Sequence, residues 1–139
     1  MCLETISQVN GLKDGVGYKV FEIKNGRPYG FMQGDRYKEY EVEKWLHERK
    51  FRVVSSRKLE AVILSKCTDK YTSRARYCVG FHIFRRKKDA LKWCACGSTD
   101  FYRVSYRKAV ASGKQFMGVD GLIFASVVVA KEIKLHEVV

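Results

Sequence analysis

The chain is short of proline, of acidic side chains and of long apolar runs. Pro28 is the one proline among 139 residues, and aliphatic and aromatic residues make up 46%. That combination excludes a proline-rich or disordered linker and points to a packed globule. The longest apolar run, residues 122–130, is about half of what a membrane-spanning helix requires. Acidic residues number 15 against 27 Lys and Arg, a formal net charge of +12. An imbalance of that size in so small a chain fits a polyanion or an acidic protein surface as partner, and no membrane.

Several chemical signatures are also missing. No two cysteines have the close pairing that wraps a zinc ion, although Cys67, Cys78, Cys94, Cys96 and His82 supply the ligand types. Gly113-Lys114 lacks the upstream glycine and the strand-to-helix context of a nucleotide loop. There is no dinucleotide fingerprint, Ser-His-Asp order or paired-carboxylate motif. The sequence therefore predicts no metal and no cofactor, and leaves catalysis open. Cysteines are odd in number, and residues 1–10 have neither the basic start nor the apolar core of a secretory signal, so the thiols are expected to be reduced and the protein cytoplasmic. Cys2 would become an N-terminal nucleophile only if Met1 were removed. A packed or surface cysteine is the preferred reading.

What is present reads mostly as strands. Residues 18–23 and 27–32 flank Asn25-Gly26, the pair favoured where a tight hairpin turn needs positive φ. Residues 36–50 can be read as an extended start or as an amphipathic stripe, and are expected to form a strand to about Val42 and then a short polar turn or helix; 53–64 reads as a second apolar cluster, and 66–76 as a polar surface loop. Residues 77–84 form a strand, 89–94 a short helix capped by Gly97, 101–106 an alternating strand, and 109–116 a polar connection. The closing segment, residues 122–135, has an apolar half that suits a central strand covered on both faces. The expected fold class is a single α+β domain spanning residues 1–139, mainly antiparallel, a twisted sheet or split barrel with one or two short helices.

The local feature with the clearest chemistry is Arg85-Arg86-Lys87-Lys88, placed just before the predicted helix where its dipole opposes positive charge. Cations so placed often have an anion to meet. Lys92, Arg103, Arg107 and Lys108 follow, with Tyr102 and Tyr106 interleaved, a pattern for tracking phosphates and stacking bases. A solvated charge run is the plain alternative.

Three segments carry a resemblance: Met1-Cys2-Leu3, then Gly80-Phe81-His82 before Asp89-Ala90, and Val129-Ala130-Lys131-Glu132-Ile133. Together they resemble a family of small bacteriophage and prophage proteins, which implies a host-cell cytoplasmic context and no particular activity. The order of elements is also similar to the ADP-ribosyltransferase-like fold. That similarity implies a pocket near Tyr18, His82 and Glu132, but residues 18–23 lack the His or Arg such transferases place on their first strand. The expected function is a small basic phage-type binding protein, monomeric or homodimeric, acting on nucleic acid or an acidic host protein in host takeover or as an anti-defence inhibitor. The alternative is an enzyme handling a nucleotide or ADP-ribose, or a nucleotide sponge.

Overall fold

The computed structural model describes residues 3, 5–9, 11–30, 39–49, 53–55, 76–93, 99–116 and 124–138. Nine strands and one helix occur among them. They are β1 (Thr5–Gln8), β2 (Gly15–Lys24), β3 (Arg27–Tyr29), β4 (Trp45–His47), β5 (Val53–Ser55), β6 (Arg76–Cys78), β7 (Phe81–Phe84), α1 (Lys87–Trp93), β8 (Thr99–Phe116) and β9 (Phe124–Val138). Seven strands form one sheet in the order β1-β8-β2-β7-β9-β4, with β3 on β2 and β8 also paired to β9, while β5 and β6 pair apart.

The expected hairpin is present. Asn25 and Gly26 have φ of 52° and 74°, and Lys24 pairs with Arg27 across them, as a two-residue turn of that handedness requires. Gly17 meets a different demand. A Cβ there would lie 2.6 Å from the Phe84 carbonyl oxygen, so its absence lets β2 approach β7 where Tyr18 pairs with Phe84.

The α+β expectation is overturned. About 70% of the described residues are strand and the one helix among them has seven residues, so the fold is β-rich. Nor is the sheet a clear barrel: its pairings run from β8 to β2, β7, β9 and back, but the β2–β7 link is a single residue pair. The main cause of the misreading is residues 109–116. Their Ser and Gln suggest a polar connection, yet β8 runs straight through, with Ser112 and Gln115 buried and Ser112 paired to β1 on one side and β9 on the other. The segment 77–84 also divides, into β6 and β7. The expected strand of residues 36–42 is reduced, within the described residues, to isolated bridges at Glu39 and Val42, and the turn or helix expected after it holds strand β4 instead, paired to β9. Of the predicted loop 66–76, residue Arg76 begins β6, and residues 66–75, together with Gly97, Cys2, Cys67, Cys94 and Cys96, lie outside the described residues.

Two apolar clusters hold the sheet. Leu3, Ile6, Val20, Phe84, Ala90 and Phe101 belong to the first, and Phe21, Tyr40, Phe81, Ile83, Tyr102 and Val104 to the second. β9 serves both: Val127 and Val129 enter the first cluster, Val128 and Ala130 the second. Strand alternation sends neighbours to opposite faces, so an unbroken apolar run marks a central strand, as expected. Each such side chain contributes about 1.5–3 kcal/mol when fully buried.

Candidate nucleic-acid interface

β8 carries the alternation that sorts the predicted patch. Tyr102 and Tyr106 are buried in the second cluster with Val104, which removes both from any stacking role. Burial, then the charge of Asp100, raises the Tyr102 pKa and keeps the phenol neutral. With period two, Arg103, Ser105 and Arg107 must project from the opposite face. Near Phe101 that face is covered by α1, whose Ala90 is buried in the same cluster. Beyond it, Arg103 is exposed and Arg107 half-buried.

Cross-strand register places further side chains beside these. Val16 pairs with Ser105, Tyr18 with Arg103, Ser105 with Lys134, and Trp45 with Lys134. Val16, Ser105, Lys134 and Trp45 therefore form one row across β2, β8, β9 and β4, roughly 14 Å wide at the usual strand spacing. The face is open to water at Val16, which is 58% exposed. Four cations stud it: Arg103, Arg107, Lys108 and Lys134. His136 sits between strands, its Nε2 2.6 Å from Ser105 Oγ and its Nδ1 3.5 Å from Glu43 Oε1.

Glu132 lies under this face. It is 2% exposed and accepts from Arg107 Nε at 2.7 Å and Lys108 Nζ at 3.3 Å, with His47 Nδ1 against its other oxygen. Neighbouring residues of a regular strand face opposite ways, so Arg107 and Lys108 reach one carboxylate only because the strand is broken there. Lys108 has φ of 55° and the register slips between Ala109 and Ala111, the marks of a bulge that re-aims side chains. A left-handed lysine costs on the order of 1 kcal/mol. Burial alone would raise the Glu132 carboxyl, but hydrogen bonds from Arg107 and Lys108, with the charges of Arg107 and His47, outweigh it and hold its pKa below the ordinary value. An ionised, fully partnered carboxylate is an anchor and a poor general acid. Arg107 in turn lies over the Trp45 ring, 3.9 Å from its centroid.

The basic run sits at the other end of this face. Arg85, Arg86, Lys87, Lys88 and Lys92 are all exposed. The anion that the run would meet is in part Asp89 of the same turn, 2% exposed and 3.1 Å from Arg86 Nε. Lys87 Nζ lies 5.8 Å from the Phe101 ring, two residues along β8 from Arg103. The structure thus joins Lys87 to Arg103, Arg107 and Lys108 in a stripe of roughly 20 Å, from the rise per strand residue.

The three residues of the expected pocket each have a separate partner. Tyr18 packs edge-on against Phe101 at 6.1 Å, Glu132 is held by Arg107, and His82 Nδ1 donates to Gln115 Oε1 at 2.9 Å. His82 is half-buried, and loss of water around the ring, opposed by the Gln115 bond and reinforced by Lys19, lowers its pKa from 6.5 to about 3. The unfolded ring accepts a proton that the folded ring refuses. Stability is therefore complete above about pH 6.5 and falls as the pH drops toward 3, by at most about 1.4 kcal/mol per pH unit. His82→Gln is expected to flatten that decline between pH 6.5 and 4.5, where carboxylates are still largely ionised, in urea unfolding at a series of pH values. An unchanged slope would assign the effect to another group.

Trp45, His47 and Lys134 were missed by the sequence reading. Trp45 and Leu46 could be read only as part of an amphipathic stripe, because the strand that partners residues 45–47 lies more than 80 residues away. Among the described residues no group of three or more His, Cys, Asp or Glu is placed to hold a metal ion, and no helix is long and apolar enough to cross a membrane. No family model matches the chain, and neither a curated protein nor a solved structure is found to be similar to it.

Proposed function

We propose that the chain is a non-catalytic, phage-type nucleic-acid-binding protein that acts through the open face of β2, β8, β9 and β4. The observation that carries this reading is the alignment of Lys87, Arg103, Arg107, Lys108 and Lys134 along one side of the sheet, in a chain of formal charge +12. Lysine and arginine so arranged neutralise phosphates and release the counterions condensed on them. An open sheet face with cations beside an aromatic ring suits a flexible strand better than a small molecule, which prefers a concave pocket. Glu132 supports the reading as a fixed point that orients two of the cations while spending one negative charge on them. The ADP-ribose alternative loses support because Tyr18, His82 and Glu132 are engaged separately.

The test is a fluorescence-anisotropy titration of a labelled mixed-sequence oligonucleotide across a salt series. Five phosphate contacts predict a slope of log K on log salt of about −3.5 to −4.5. No binding at about 50 mM salt, where counterion release still favours association strongly, overturns the proposal.

A further inference from the structure

The cations of this face account for affinity to any nucleic acid, single or double. One group on it does something more specific. Arg107 is held at three points: Nε is 2.7 Å from buried Glu132, the guanidinium lies 3.9 Å from the centre of the Trp45 ring, and its backbone pairs with Glu132 across the strand. The side chain is nonetheless 39% exposed. Glu132 takes the Nε edge and the guanidinium carbon lies over the Trp45 ring, while over a third of the side chain stays open to solvent.

We infer that Trp45, Arg107 and Glu132 form a preassembled stacking platform for an unpaired base, so that the protein prefers single-stranded nucleic acid over duplex. The inference rests on the nucleic-acid reading of the same face. Guanidinium planes and aromatic rings both stack on bases that are free of a partner, whereas bases inside a duplex present only their edges. Arginine laid on an indole extends the stacking surface outward, and the buried carboxylate keeps it from rotating away, which reduces the entropy lost on binding. Val16 and Tyr18, across the sheet on β2, give the adjoining part of the face an apolar character. The backbone costs incurred nearby fit this role. Lys108 and Glu43, which flank the platform in sequence on β8 and before β4, are two of the three described non-glycine residues with positive φ, and strain of this kind gathers at binding sites.

The experiment uses the full chain with Trp93→Phe, which leaves Trp45 as the sole tryptophan of the two. A mixed-sequence oligonucleotide is titrated alone and annealed to its complement, reading Trp45 fluorescence and anisotropy. The expected result is quenching of Trp45 by the single strand and roughly tenfold tighter binding of it than of the duplex at equal salt. Arg107→Lys keeps the charge and removes the plane; it is expected to lower single-strand affinity about tenfold and duplex affinity by much less, so that the preference for the single strand is lost. Trp45→Leu should give the same loss, with circular dichroism reporting whether β4 remains folded. Equal binding of both forms, or an Arg107→Lys protein that binds the single strand as before, overturns the platform and leaves the polyanion reading standing. Absence of binding to either form overturns both.

Discussion

Neutralising Arg103, Lys108 and Lys134 together, each to glutamine, is expected to weaken oligonucleotide binding about 100-fold at physiological salt and hardly at all near 1 M. The magnitude follows from counterion release: each lost phosphate contact takes about 0.7 to 0.9 from the salt slope, so three take about 2.1 to 2.7. Between 1 M and 0.15 M salt that slope difference amounts to on the order of two decades in affinity. These three residues lie on β8 and β9 within the four-stranded face. Lys24 and Arg27, at the tip of the β2–β3 hairpin, provide the control, since replacing both reduces the net charge but leaves the face intact. If the control loses as much per charge as the face does, binding follows net charge alone and the face has no special part in it. Lys108 is one of three partners of buried Glu132, which Arg107 and His47 still hold in the triple variant, so urea unfolding is measured beside the titration to show that the variant is folded.

Phe21→Ala is expected to cost about 3–5 kcal/mol of unfolding free energy, a large share of what a domain of this size has in total. Phe21 has no solvent exposure, and its ring meets those of Tyr40 at 5.2 Å and Tyr102 at 5.5 Å. Truncation removes both aromatic contacts and leaves a cavity between β2, Tyr40 and the start of β8, where the strands are too constrained by their pairings to collapse fully. Val16→Ala, five residues earlier on β2 and on the opposite, exposed face, should stay within about 0.5 kcal/mol. Urea unfolding of the two variants measures the contrast. A loss below about 1 kcal/mol for Phe21→Ala would mean that the second cluster is not a close-packed core.

Some of the architecture was legible without a structure because its causes are local. The Asn25-Gly26 turn depends on the φ preferences of two residues, and the central place of β9 on an apolar run with no polar face. The helix at residues 87–93 announced itself through the spacing of Ala90, Leu91 and Trp93, with its start two residues earlier than expected. The connection assigned to residues 109–116 failed for the opposite reason. Ser112 and Gln115 are polar by composition, but their burial is decided by which strands lie beside them.

The candidate site divides along the same line. By itself the sequence determined the strong positive charge, the basic run at residues 85–88 and the two-residue alternation of tyrosine and arginine along β8. Tertiary structure alone decided which side of that alternation is core, and so turned Tyr102 and Tyr106 inward and Arg103 and Arg107 outward. It also brought Trp45 to Arg107, and His47, Arg107 and Lys108 to Glu132, through pairings that span tens of residues. The physical reason is that strand alternation is a property of neighbouring peptides, whereas register is set by the packing of both faces at once. No local window of the chain contains both halves of such a pair.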